Sequence, residues 1–423
     1  MTLVFVVLAL LVLLFSGLPV AFSLAGLGTL MLIAEGLPLG MVAQSLNGTI
    51  DNFILLSVPL FLLMSNILLK GGVGRDLFNA VQSWVGHWPG GLGIAALLSC
   101  GLFSAISGSS VATAATVGTV AIPEMTQRGY AKSFTLGLLA AGGTLGILIP
   151  PSIPLIVYGV ITEESIGKLF LAGIGPGILL IVLFSVFTIL YATFTKAHQP
   201  SPKASWQDRR QSTLRAIPSA GLAVIMLGGI YSGIFTPTEA AAVGAVVAFL
   251  ITAFLLRTLT RKSLFEAIRQ TVSTTIVLFL VVIGAKIFGK AVTLYQVPLQ
   301  ISQLVDTHVA SVDMFLLLVA GILLFIGLFL ESLSMLLIMV PVLLPTVLGF
   351  DVDPIWFGIF FVVLIEIALI TPPVGLNLFV LQAVAQSPLG TVVKGVIPFI
   401  IIMLLSVVII WAVPQVVLLI PFL

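Results

Sequence analysis

Between Ser133 and Ile161 the chain carries no charged residue, a stretch long enough to cross a bilayer core of about 30 Å. At its middle it reads "GILIPPSIPL", with prolines at 150, 151 and 154. Proline has no N–H to donate and clashes with the preceding turn, at about 3 kcal/mol in a helix interior. Unpaired backbone groups in hydrocarbon add to that cost. This chain must therefore fold with unwound backbone at membrane depth, which persists only when buried in protein or lining a polar cavity.

The rest of the sequence is of the same kind. Hydrophobic residues make up 60% of the 423 positions and charged ones 8%, too few for a soluble surface, so this is a polytopic membrane protein of all-α class. Its opening "MTLVFVVLALLVLLF" reads as a first transmembrane helix and not a signal peptide, because no Lys or Arg precedes it. Cys100 is the single cysteine, which excludes an internal disulfide and a thiolate cluster. The three histidines stand apart, against a histidine metal site or an intramembrane enzyme. No phosphate-binding loop is present, which excludes direct ATP coupling by this chain.

Apolar segments fall near 2–16, 19–34, 52–69, 93–125, 132–161 and 168–195, then near 214–234, 236–256, 271–290, 312–348, 355–382 and 391–420. The polar stretch Thr195–Arg215 separates six from six. The sets align. Pro19, Gly26, Phe61 and Gly71 recur 218 positions later at Pro237, Gly244, Phe279 and Gly289. Pro123, Pro150, Pro151 and Pro176 recur 222 positions later at Pro345, Pro372, Pro373 and Pro398. If 93–125 and 312–348 are re-entrant hairpins and every other segment crosses, each half crosses five times and the second half is inverted relative to the first. With both termini periplasmic, fourteen of the seventeen Lys and Arg fall on the inner side, as positive-inside bias requires. The expected organisation is a first inverted repeat over 1–195, a cytoplasmic linker over 196–213 and a second repeat over 214–423.

The first hairpin carries "SAISGSSVATAATVG" at its middle, at the depth where the next segment carries its Pro-Pro break. Facing breaks offer carbonyl and hydroxyl oxygens to a small cation, and restarting half-helices offer their N-termini to an anion such as a carboxylate. Neither first-half break contains Asp or Glu, which favours a monovalent ion, Na+ ahead of H+, over a divalent one. The second half repeats the plan with "GLFLESLSMLLIMVP" and "IALITPPVGLN", its tip lacking glycine and carrying Glu331.

The stretches "GLFSAISGSSVATAATVGTVAIPEM", "GTLGILIPPSIPLIVYG", "GIYSGIFTPTEAAAVGA" and "ITPPVGLNLFV" resemble the large membrane subunit, M or DctM type, of tripartite ATP-independent periplasmic (TRAP) transporters. That resemblance implies Na+-driven import of organic anions, C4-dicarboxylates or sialic acid, at the bacterial inner membrane. It implies two partners, a small Q-type membrane subunit and a periplasmic substrate-binding protein. With no Q-like segment before Met1, the small subunit is expected as a separate chain. It further implies an elevator fold, with transport-domain parts near 92–195 and 312–423 sliding past scaffold parts near 1–91 and 214–311. Carried over by position, a first Na+ site would take Ser107 and Ser109 with Gly146, Ile149 and Pro151. A second would take Ser332, Ser334 and Met335 with Ala368, Thr371 and Pro373. From position alone, substrate is expected between the tips, near Ser109, Ser110, Thr113, Ser334 and Asn377. No organic cofactor is implied. The alternative within transport is a stand-alone ion-coupled carboxylate carrier or antiporter of similar fold.

Five ionisable residues lie in or near apolar stretches. Glu239, after Pro237, reads as a helix cap. Lys286 and Lys290 share a helix face and either snorkel, pair with Glu331 or Glu366, or face the small subunit. Glu366, two residues before Ala368, is a candidate proton or ion relay. Val73 to Trp88 and Tyr295 to Val309 read as interfacial helices.

Overall fold

The structure is a computed structural model that describes residues 2–195, 201–309 and 311–422. Lys196 and the first residues of the expected linker lie outside them. The first half runs α1 (Thr2–Phe15), α2 (Val20–Ala34), α3 (Gly40–Ile50), α4 (Ser57–Lys70), α5 (Val73–Val85), α6 (Gly91–Ser107), α7 (Ser110–Gln127), α8 (Lys132–Leu148), α9 (Ile153–Thr162) and α10 (Ile166–Thr195). The second runs α11 (Trp206–Tyr231), α12 (Pro237–Leu250), α13 (Arg261–Leu294), α14 (Val297–His308), α15 (Val312–Ile326), α16 (Ser332–Gly349), α17 (Pro354–Leu369), α18 (Leu376–Ala385), α19 (Leu389–Ala412) and the short α20 (Gln415–Leu418). Every expected interruption is present. The first hairpin breaks between α6 and α7, the second between α15 and α16, and the Pro-Pro segments break between α8 and α9 and between α17 and α18. Both Pro-Pro peptide bonds are cis.

Among the described residues, seven helical spans are long and apolar enough to cross a membrane, one of them α8 and α9 taken together across their break, or eight if α4 and α5, bent by 67°, count as one span. The shorter apolar helices are α2, α6, α15, α17 and α18, of which the last four flank the breaks. α13 has 34 residues, about 51 Å at 1.5 Å per residue, and so extends beyond the hydrocarbon with Arg261, Lys262 and Arg269 at its start.

Side-chain contacts fix the directions of the helices. Asn66 donates to Thr271 at 2.9 Å while Leu55 and Val58 line one small cavity with Leu278 and Val282, so α4 and α13 are antiparallel. Thr238 donates to the Phe53 carbonyl, Gly244 meets Met64 and Gly71 meets Thr252, so α4 and α12 are parallel. Gly284 abuts Ala21 and Gly28 abuts Phe288, so α2 and α13 are parallel too. It follows that α2 opposes α12, its own counterpart in the repeat, and the halves are inverted.

The halves also exchange partners. α2 lies on α13 and α12 on α4, while α7 lies on α18 and α16 on α9. The α8–α19 crossing is the tightest of these: a methyl on Gly137 would overlap the Gly395 backbone, and one on Gly395 would overlap the Ser133 carbonyl. Such backbone contact is the usual use of small residues between membrane helices.

Three outer features differ from the sequence reading or refine it. α11 starts inside the polar stretch, because Ser205 and Asp208 form a capping box. Its first turns then clamp α5, with Arg209 donating to the Ser83 carbonyl at 3.1 Å and Trp84 donating to Thr213 at 3.0 Å. Glu239 caps α12 as expected, in a box with Thr236. Lys290 donates to Gln44 at 3.1 Å, whereas Glu331 and Glu366 bond to serines, so pairing with those carboxylates, one of the three alternatives for the lysines, is not seen among the described residues. The ion pair seen among the described residues is Lys70–Glu266 at 3.0 Å, with Lys70 partly and Glu266 well exposed. Exposed pairs contribute little, so Lys70→Ala is expected to leave the melting temperature of the purified protein unchanged within error.

Candidate functional site

The first hairpin tip begins where α6 stops. Gly108 caps it at φ +60°, a left-handed conformation that suits glycine, and the chain re-enters helix at Ser109, whose hydroxyl accepts from the Ala112 amide at 3.4 Å. This tip sits on the first Pro-Pro break. A Cβ on Gly108 would meet the Pro151 carbonyl at 2.5 Å, and one on Gly146 would meet the Ser109 carbonyl at 2.5 Å and the Ser110 amide at 2.8 Å. Ser107, Ser109, Gly146 and Pro151 are thus brought together, with the Ile149 side chain packed behind them against Gly101 and Gly177.

The chemistry at this contact is that of oxygen without enough donors. In a continuous helix the amide of residue 150 would bond the Gly146 carbonyl and that of residue 151 the Ile147 carbonyl, but both residues are proline. α9 restarts at Ser152, whose hydroxyl accepts from the Leu155 amide at 3.4 Å. The Ser107 hydroxyl shares one good bond, 2.9 Å to Thr113, and its contacts to the Ser109 carbonyl and amide are long, at 3.4 and 3.5 Å. Such distances are at the limit of hydrogen bonding and leave lone pairs free. Neutral oxygens of this sort, buried and short of donors, fit a monovalent cation.

The second pair of breaks meets in the same way with different letters. The tip between α15 and α16 runs from Gly327 to Glu331, so it does begin on a glycine, though in right-handed conformation. A Cβ on Gly327 would overlap the Ala368 side chain and lie 3.3 Å from the Met335 sulfur. Here the oxygens are better satisfied. Thr371 donates its amide to the Ala368 carbonyl at 3.1 Å and its hydroxyl to the Ile367 carbonyl at 2.6 Å, and Ser334 donates to Glu331 at 3.1 Å. Met335 and Ala368 are therefore together, while Ser332 and Pro373 are on the facing segments without a direct bond to each other. Gly375 completes the turn at φ +40° and leads into Asn377 in the first turn of α18.

The five expected substrate residues do not share one open surface. Ser109 is partly exposed, whereas Ser110, Thr113, Ser334 and Asn377 are buried. Asn377 donates to Ser110 at 2.6 Å, Thr113 bonds Ser107, and Ser334 faces Glu331. The sequence reading did not join Glu366 to this group. It accepts from Ser110 at 3.4 Å across a separation of 256 positions, and because that contact joins unlike places in the two halves, the repeat gives no clue to it.

Interrupted helices facing each other in opposed pairs, inside inverted halves, are the architecture of secondary transporters. The family model for the DctM component of tripartite ATP-independent periplasmic transporters matches residues 7–416, and the chain belongs to that family. Among its relatives, the C4-dicarboxylate TRAP transporter large permease protein DctM of Pseudomonas aeruginosa is 41% identical over 95% of this chain and 93% of its own length. The sialic acid TRAP transporter large permease protein SiaM of Vibrio cholerae is 38% identical over 97% and 96%. Among solved structures, the YdaH transporter of Alcanivorax borkumensis has a similar fold, with a TM-score of 0.64, 16% identity, and cover of 89% of this chain and 88% of that one.

Proposed function

We propose that this chain is the large membrane subunit of a Na+-coupled importer of organic acid anions in a bacterial inner membrane. It works with a small membrane subunit and a periplasmic substrate-binding protein. The observation that carries the reading is the first tip seated on the first Pro-Pro break, where Ser107 and Ser109 lie against Gly146 and the two prolines leave the carbonyls before them short of donors. Gly146, Ile149 and Pro151 would hold the first Na+ with those serines, and Ser332, Ser334, Met335, Ala368, Thr371 and Pro373 the second. Na+ supplies, when bound, positive charge beside an incoming carboxylate. The chain's own part is to hold the tips and aim the N-termini of α7 and α16 into the space between them.

A carboxylate is the favoured cargo because both supporting relatives are named for carboxylate substrates, C4-dicarboxylates and sialic acid. Ser109 is the candidate first contact, with Ser110, Thr113, Ser334 and Asn377 lying behind the tip surfaces. Movement is proposed as an elevator, with α6–α10 and α15–α19 sliding past α1–α5 and α11–α14. The packing of α2 on α13 and α4 on α12 supports a fixed frame, and that of α8 on α19 supports a single moving body.

Proteoliposomes holding this chain and its small partner, given a loaded binding protein, should take up dicarboxylate or sialic acid only with an inward Na+ gradient. Ser107→Ala with Ser109→Ala should raise the Na+ concentration for half-maximal uptake about tenfold, corresponding to about 1.4 kcal/mol of lost ion binding. Uptake that runs unchanged without Na+ would overturn the coupling, and uptake without the binding protein would point to a stand-alone carrier.

A further inference from the structure

Glu366 is 1% exposed, on a helix whose residues are buried from Ile355 through Leu369. A carboxyl in such a place either carries a proton or is met by a counter-charge. The charged residues on the helices around it lie towards helix ends: Glu124 on α7, Lys132 on α8, Lys168 on α10, Asp313 on α15, Glu331 capping α16 and Lys394 on α19. None forms an ion pair with it; Asp313 bonds Trp411 and Glu331 bonds Ser334. What Glu366 does have is oxygen. Ser110 donates to its Oε2 at 3.4 Å and accepts from the Asn377 amide at 2.6 Å, and that amide also reaches the Ala140 carbonyl at 3.4 Å. Glu366 Oε1 and Asn377 Oδ1 are both buried without a partner.

A carboxyl and two neutral side-chain groups, from α17, α7 and α18, therefore cluster where no cationic side chain among the described residues pairs with them. We propose that Glu366, Asn377 and Ser110 form a third monovalent-cation site, with the Ala140 carbonyl at its edge. It is not a copy of either repeat-related site. At the 222-residue offset, Thr144 stands for Glu366, Leu155 for Asn377 and Ser332 for Ser110, so the other half has no carboxylate in that place. The single carboxylate suits an alkali-metal ion better than a divalent one. Its consequence for coupling, one more cation carried with each anion, rests on the reading of the chain as a Na+-driven importer; the site itself rests on the geometry.

The test is equilibrium binding of radiolabelled Na+ to the purified full chain with its small partner, counted per chain, with K+ and choline as competitors. Glu366→Gln should bind one Na+ fewer than the unaltered protein, whereas Ser107→Ala with Ser109→Ala should weaken a different ion about tenfold, and the two effects should be independent. Asn377→Asp placed on Glu366→Gln should restore the missing ion, which separates charge from misfolding. If K+ but not choline displaces one ion and only in proteins that keep Glu366, the site is an alkali-ion site without Na+ preference. An unaltered protein that binds no Na+ would sink the coupling reading. One that binds Na+ equally well with Glu366→Gln, or a double variant folded yet not restored, would sink the third site alone.

Discussion

Gly146→Val is expected to abolish Na+-driven uptake, by about a hundredfold or more, in protein that still elutes as a monodisperse species. The first added carbon would already lie 2.5 Å from the Ser109 carbonyl and 2.8 Å from the Ser110 amide, and both are backbone atoms that cannot swing aside. The tip has to lift off the break. That moves Ser107 and Ser109 away from the Gly146 segment, and a misplacement of about 1 Å is enough to disable the preorganised site proposed there. Gly146→Ala should show a partial loss. Gly321→Ala, where no atom lies within 4 Å, is the control that should leave uptake unchanged.

Gly137→Leu should act one level lower, on folding. α8 is buried along nearly its whole length, and its approach to α19 at Gly395 leaves no room for a side chain. Overpacking a formed core costs about 1–3 kcal/mol where side chains can adjust. Here the obstacle is backbone, so the cost should exceed that range and the expressed protein should be degraded or aggregated. Gly228→Ala, with open space around it, should be neutral or slightly stabilising. Yield and melting temperature of the three proteins decide the matter.

The interruptions were the most legible part of the fold because their cause is local. Pro150–Pro151 and Pro372–Pro373 remove donors wherever the chain places them, and the serine-rich tip at Ser107–Ser110 offers caps in the middle of an apolar segment. The seating of the first tip on the first break was legible for the same reason, since a tip and a break at one depth have few other ways to meet. α3 was not, because "GMVAQSLNGTI" mixes Gln, Ser, Asn and Thr with few apolar residues and takes its place from α13, against which it packs. The early start of α11 was hidden likewise: hydropathy marks its apolar part from 214, while its first turns come from a cap and from contacts with α5. The Glu366–Ser110–Asn377 cluster lay furthest from view. It depends on which half each helix packs against, and equivalent positions of the repeat carry different residues.

The exchange of partners between halves has a consequence for how the protein is made. When α2 enters the membrane, the surface it needs is on α13, whose last residue, Leu294, is still to be translated. At about 5–20 residues per second, that leaves α2 without its native neighbour for on the order of ten to fifty seconds. α4 waits for α12 in the same manner. The emerging chain must be sheltered by lipid or by the insertion machinery through that interval, and a ribosome stalled in the linker would leave behind a fragment with no surface to complete it.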